Sequence, residues 1–165
     1  MWSAGYLEQA RSDWAAYRVV ESSDLLADCH ALHYLQMATE KLAKAFLLAS
    51  GDRLEKVKSN HRAFTRFLQM VARNNGLQRE LRLNGRQLAA HVRQLLPISQ
   101  GVERLAPALA QDGPNAEYPW ESPKGKVNVP AMTTFKVAAQ LKSPNGRILL
   151  KIVDIVLRKH YVLFE

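Results

Sequence analysis

The order of apolar and polar positions predicts helices over most of the chain. In residues 3–20, aromatic and small apolar side chains recur every three or four positions, as they do on one face of a helix. Residues 24–50 contain no glycine or proline and are apolar around most of the helical circumference. A helix of this kind needs neighbours on several sides. We therefore expect the second helix to be the most buried element.

The next two helices have narrower apolar stripes. Phenylalanine, leucine and valine positions predict a third helix over about 60–73, which ends at Asn74-Asn75-Gly76. A fourth helix should begin near Leu77, and Pro97 should kink or interrupt it because proline lacks a backbone N–H.

The pattern fails over about 107–142, where five prolines lie among glycines and polar residues. We expect a long loop that aromatic side chains hold against the body. Ser143-Pro144 then begins a closing helix that includes Tyr161. The predicted fold class is all-α, in one domain over 1–165. It is an up-and-down bundle of four main helices, with a long Pro-rich crossover loop and a closing C-terminal helix.

Positive charge is concentrated in the middle of the chain. The formal net charge is +8, and residues 53–93 alone hold ten Lys/Arg against two acidic residues. Such an excess is typical of proteins that bind RNA or another polyanion, although a solvated face or an acidic protein partner also accounts for it. On one straight helix, four of the arginines would point the same way within about 60°. The four are Arg79, Arg82, Arg86 and Arg93.

Composition narrows the class of protein. The single cysteine, Cys29, allows no internal disulfide and is typical of a reducing compartment. No signal peptide or bilayer-spanning segment is visible, so we expect a cytoplasmic protein without membrane contact. Glycine-rich nucleotide loops and common hydrolase motifs are absent, and we expect no cofactor.

A narrow polar line runs along the second helix through His33, Gln36, Glu40 and Lys44. Glu40 and Lys44 are spaced i, i+4 in the favourable orientation. A polar line in a bundle core either binds a ligand or fixes the packing register, and we favour the second interpretation. Cys29, His30 and His33 also suggest a metal site, but zinc needs four ligands in a defined geometry. We expect no metal.

The segment Gln36–Ala45 resembles the second helix of HEPN domains, with a small residue, then Glu-Lys, then Lys-Ala. His61 follows a short loop, in a place where family members often carry a histidine. Glu117-Tyr118-Pro119 is similar to an Arg-Tyr-Pro element of one branch, with Glu117 in place of the arginine.

The resemblance implies a helical bundle that is often dimeric. Family members occur in nucleotidyltransferase-associated toxin–antitoxin pairs and among metal-independent ribonucleases. The resemblance therefore predicts a homodimer that engages RNA, a nucleotide, or a nucleotidyltransferase or antitoxin partner. The broad apolar surface expected on the closing helix is a second reason to expect a dimer.

The ribonuclease members carry an Arg-polar-x-x-x-His motif, which Arg86-Gln87 and His91 match here. His91 would act as general acid–base on a 2′-hydroxyl, and Arg86 would stabilise the charged phosphate. On a straight helix the two side chains point about 140° apart. Our leading hypothesis is therefore a noncatalytic HEPN-like binding protein. The alternatives are a HEPN ribonuclease of toxin–antitoxin type and a structural module for an acidic protein.

Overall fold

The structure is a computed structural model that describes residues 1–160 with their side chains and the backbone of 161–164. It confirms the all-α fold class. The long helices are α1 (Trp2–Glu21), α2 (Asp28–Ala49), α6 (Gly85–Glu103) and α9 (Pro144–Phe164). Shorter helices are α3 (Leu54–Lys58), α4 (Ala63–Val71), α5 (Asn75–Leu81), α7 (Pro107–Ala110) and α8 (Lys136–Lys142).

Helix α2 lies at the centre of the bundle. It packs along α1 and also contacts α3, α4 and α6. Thirteen of its 22 residues are buried, more than in α1 or α6, the other long helices whose side chains are described throughout. The prediction of a central second helix is confirmed, because a helix that is apolar on most sides buries that surface only among several neighbours.

Buried polar contacts hold α1 against two neighbours. The Lys41 ammonium on α2 donates to the Asp13 carboxylate over 2.5 Å, and Asp13 itself is buried. The next residue, Trp14, donates its indole N–H to Asp154 on α9 over 3.2 Å. Each buried donor thus finds an acceptor on another helix, as burial of polar groups requires.

The predicted fourth helix is two helices, and the prediction of one continuous helix from Leu77 was wrong. Arg82 ends α5 in the left-handed conformation with φ 55°. Asn84 then begins α6: its side chain accepts from the Gln87 N–H, and the Gln87 side chain accepts from the Asn84 N–H. This reciprocal capping starts a new helix in a new direction. By contrast, α6 continues through Pro97, which lies on its exposed side.

The third helix also differs from the prediction. Residues 54–58 form the short helix α3, and α4 covers only Ala63–Val71. Asn60 caps the turn between them, since its side chain accepts from the Arg62 N–H. The apolar face of α4, which includes Phe64 and Leu68, is fully buried against α2 and α6.

The crossover segment is more ordered than expected. Besides α7 and α8 it contains an antiparallel hairpin of strands β1 (Trp120–Glu121) and β2 (Val127–Asn128), and a short 3-10 helix at Pro130–Met132. The expected attachment by aromatic residues is present only in part: Phe135 is buried in the hydrophobic core and Trp120 packs against it, whereas Tyr118 is exposed.

Helix α9 begins at the predicted Ser143-Pro144. A side chain on Gly146 would meet the carbonyl oxygens of Gln140 and Leu141 at 2.3 Å, so glycine permits the close packing of α8 on α9. The apolar residues of α9 from Leu149 to Leu157 are buried within the chain, apart from half-buried Leu150. A broad uncovered surface there was therefore a wrong reason to expect a dimer. The side chain of Tyr161 lies outside the described residues.

Within the described part of the chain, no helix is long and apolar enough to cross a membrane.

We predict that Leu42→Ala lowers the free energy of unfolding by about 2–5 kcal/mol, because truncation of a core leucine leaves a cavity. Leu42 is 0% exposed on α2. Leu25→Ala is the matched control, since Leu25 is 95% exposed and surface changes stay within about 0.5 kcal/mol. Urea denaturation measures both. Equal effects would contradict the central position of α2.

Candidate functional site

Three of the four residues of the predicted polar line form one network around Glu40. The Gln36 amide donates to Glu40 Oε2 over 2.6 Å, and the Lys44 ammonium donates to Glu40 Oε1 over 2.7 Å. Lys44 also donates to the carbonyl oxygen of Lys58 over 2.9 Å. His61 approaches the same carboxylate, with Nδ1 3.4 Å from Oε1.

This network is buried and internally satisfied. Lys44 is only 6% exposed, and its charge faces one carboxylate and one backbone carbonyl. Lys58 ends α3 and His61 precedes α4, so the network joins α2 to the segment between those helices. A buried ion pair is tolerated when its partners are hydrogen-bonded in this way. The geometry favours fixed packing over ligand binding at Glu40.

The fourth residue of the line, His33, lies in a separate groove. Its Nδ1 atom is 3.4 Å from Glu117 Oε1. This Nδ1 atom is buried and has no hydrogen-bond partner in the described structure. The contact with Glu117 is therefore an ion pair only when His33 is protonated. Cys29 lines the same groove, together with Tyr118-Pro119. The structure thus brings His33 of α2 and the Glu117-Tyr118-Pro119 element together around a groove of about 460 Å³.

Cys29 is a poor nucleophile in this groove. Burial raises the pKa of its thiol, against the opposing effect of the backbone N–H groups of His30 and Cys29. The thiolate is the reactive form, so the raised pKa keeps the group neutral near pH 7. Among the residues that the structure describes, no group of three or more His, Cys, Asp and Glu side chains is arranged to hold a metal ion.

The four arginines predicted to bind RNA do not share one helix. Arg79 lies on α5 and Arg82 caps it, whereas Arg86 and Arg93 lie on α6. The break at Arg82–Asn84 therefore invalidates the single straight row. All four side chains are exposed, and none forms an ion pair within the described residues.

A shorter arginine row runs along α6 alone. From the helical angle of about 100° per residue, Arg86, Arg93 and Arg104 share one side within about 20°. Arg104 caps the C-terminal end of α6 and is exposed. Arg104 was not among the arginines predicted to bind RNA, although its spacing of eleven residues after Arg93 places it on the same side of a helix.

No hydrogen bond or ion pair joins Arg86 and His91 within the described residues. Arg86 is exposed near the N-terminal end of α6, and His91 is half-buried on the same helix. The His91 Nδ1 atom is buried without a hydrogen-bond partner in the described structure. A general base needs a group that orients it and a cleft that admits its substrate. Neither residue lines the His33 groove.

Sequence reasoning also missed a buried carboxylate at the contact between α4 and α6. Glu103 accepts from the Thr65 backbone N–H over 2.7 Å and from the Thr65 hydroxyl over 2.8 Å. The Thr65 hydroxyl also lies 3.1 Å from that of Ser99. The only sequence signal was the spacing of Ser99 and Glu103, one turn apart among apolar residues of α6.

A pocket of about 370 Å³ opens beside this carboxylate. It is lined by α4, α6 and α7 and contains three guanidinium groups. Burial raises the pKa of Glu103, while hydrogen bonds from Thr65 and the charge of Arg62 oppose this shift. The lining residues are Arg62, Thr65, Arg66, Gln69, Gln100, Glu103, Arg104 and Leu109.

We predict that Glu40→Ala lowers the free energy of unfolding by about 3–5 kcal/mol, because it leaves the Lys44 charge buried without its carboxylate. Glu80→Ala removes the partner of Lys159 in a largely exposed pair and should cost at most about 1 kcal/mol. Urea denaturation at pH 7 compares them. A small loss for Glu40→Ala would show that the network does not fix the packing of α2.

The raised pKa of Glu103 predicts a pH-dependent contribution to stability. A carboxyl whose pKa is higher in the folded state binds its proton more tightly there, so the contribution falls as pH rises from the ordinary value of 4.5 through the folded pKa. We expect wild type to lose stability relative to Glu103→Gln over that interval. Unfolding measured across pH tests this, and a difference that is independent of pH would contradict it.

Comparison of the chain with models of protein families, with curated proteins and with solved structures finds no match. The function therefore has to be argued from the side chains themselves.

Proposed function

We propose that this chain is a noncatalytic HEPN-like binding protein that engages RNA through a basic face on α5 and α6. The face consists of Arg79, Arg82, Arg86 and Arg93. The observation that supports it is the set of exposed guanidinium groups without ion-pair partners in the described structure.

Several cations elsewhere in the bundle pair with carboxylates, whereas exposed Arg18, Arg147 and Lys151 make no ion pair within the described residues. On α2, Lys41 and Lys44 each contact a carboxylate at 2.7 Å or less. On α9, Arg158 pairs with Asp154 at 2.6 Å. A surface that serves solubility alone usually intersperses both signs of charge. The four arginines of α5 and α6 have no ion-pair partner within the described residues and lie in or at the end of the most basic stretch of the chain, which favours an anionic partner.

The noncatalytic part of the proposal rests on the placement of Arg86 and His91. They point about 140° apart on one helix, and the buried Nδ1 atom of His91 has no group to orient it among the described residues. Homodimer formation, a nucleotide ligand and a nucleotidyltransferase or antitoxin partner remain predictions that rest on the resemblance to HEPN domains.

We predict salt-sensitive binding of single-stranded RNA with little sequence preference. If four arginines each neutralise one phosphate, raising salt from about 50 mM to about 200 mM should weaken binding roughly 50-fold, since counterions are released on binding. The variant with Arg79, Arg82, Arg86 and Arg93 changed to Gln should lose most of this affinity and its salt dependence. Fluorescence anisotropy of labelled RNA measures both quantities.

The matched control changes four exposed lysines elsewhere, Lys124, Lys126, Lys142 and Lys151, to Gln and so removes the same total charge. It should bind RNA nearly as wild type does. Equal losses of RNA affinity in both variants would mean that binding depends only on net charge. Wild-type affinity in the arginine variant would mean that the arginine face does not bind RNA and is only solvated. Cleavage of RNA in chelator that disappears in both Arg86→Ala and His91→Ala would replace the proposal with the ribonuclease alternative.

A further inference from the structure

We propose that the arginine pocket between α4 and α6 binds a phosphate monoester, and that its occupant is the terminal phosphate of a bound RNA strand. This inference rests on the proposed function and deepens it, because it assigns one end of the RNA to a defined place. The guanidinium groups come from Arg62, Arg66 and Arg104.

The pocket carries more positive than negative charge. Arg66 pairs with Asp52 at 2.8 Å, whereas the guanidinium groups of Arg62 and Arg104 make no ion pair or hydrogen bond within the described structure. Like charges gathered in a concavity repel each other, and Glu103, the one carboxylate in the lining, interacts with the charge of Arg62 but cannot offset all three arginines. Guanidinium groups match phosphate oxygens with paired N–H donors, and the amides of Gln69 and Gln100 line the same pocket.

The relative position of the two free arginines is set by a buried contact. Arg62 caps α4, and Arg104 directly follows Glu103 at the end of α6. Glu103 joins these helices, because both of its oxygens accept from Thr65. The α4 backbone N–H of Thr65 is thereby already occupied by Glu103. The arginines, and not the helix terminus, are the groups available to an anion.

The size and surroundings of the pocket fit the end of a strand. Its volume of about 370 Å³ is within the range of small-ligand sites, and Leu109 provides an apolar wall. Arg104 also ends the row that begins with Arg86 and Arg93 on α6. Arg93 and Arg104 are separated by about 16 Å along the helix. A strand that follows this row would place its terminal phosphate in the pocket.

A terminal phosphate differs in charge from the phosphates within a strand. A phosphate monoester carries about −1.5 to −2 at pH 7, because its second pKa is about 6. Each internal phosphodiester carries a single negative charge. Two free guanidinium groups should therefore prefer the end of a phosphorylated strand over its interior.

The experiment compares two oligonucleotides of one sequence, one with a 5′-phosphate and one with a 5′-hydroxyl, together with AMP as a mononucleotide probe. We expect wild type to bind the phosphorylated strand roughly tenfold tighter, which corresponds to about 1.4 kcal/mol. The variant Arg62→Gln/Arg104→Gln should bind both strands equally. The matched control, Arg79→Gln/Arg82→Gln, should weaken both strands and keep the preference.

The outcomes separate this inference from the proposed function. If wild type binds both strands equally and with salt sensitivity, the pocket proposal is overturned and RNA binding stands. If neither strand binds, the proposed function fails, and AMP titration then tests the pocket alone. AMP binding that is lost in Arg62→Gln/Arg104→Gln would identify a mononucleotide as the occupant, and no AMP binding would reject a monoester site. Thermal unfolding of each variant confirms that it is folded.

Discussion

The arrangement of the bundle depends on how α2 satisfies its buried polar groups. Lys44 is a charged residue at 6% exposure, and it is held by Glu40 and by the backbone carbonyl at the end of α3. Charges removed from water must find such partners within the protein. Because one partner is Lys58 and another contact is His61, the segment between α3 and α4 has one position relative to α2. The position of this segment in turn fixes where α4 lies relative to α2.

A second buried carboxylate, on α6, fixes the position of α4 relative to α6 in the same way. Glu103 binds the first turn of α4 through Thr65, so the basic residues on these two helices are presented together. Between α1 and α2, Lys41 faces the carboxylate of Asp13. Around α5, α6 and the start of α4, several arginines have no acidic partner in the described structure. These arginines lie within the most basic stretch of the chain, residues 53–93, or close after it, which is the basis of the RNA and monoester proposals.

The fold class and the main helices were accessible from the sequence because apolar periodicity is a local property. The central position of α2 and the start of α9 at Ser143-Pro144 were predicted correctly, and the aromatic attachment of the crossover only in part, through Phe135. The division between α5 and α6 was not, since a left-handed Arg82 and reciprocal capping by Asn84 and Gln87 interrupt a stripe of leucines that otherwise reads as continuous. Turn chemistry overrode the periodic pattern there.

By itself, the sequence determined the apolar stripes of the main helices, the line that contains Gln36, Glu40 and Lys44, and the concentration of arginines in the middle of the chain. Only the tertiary structure decided which of these groups meet. Glu103 and Thr65 are 38 residues apart, and His33 and Glu117 are farther still along the chain. Helical periodicity extends over a few turns, whereas such contacts depend on how whole helices pack. For this reason the basic segment was visible in the sequence, and the pocket that contains Arg62 and Arg104 was not.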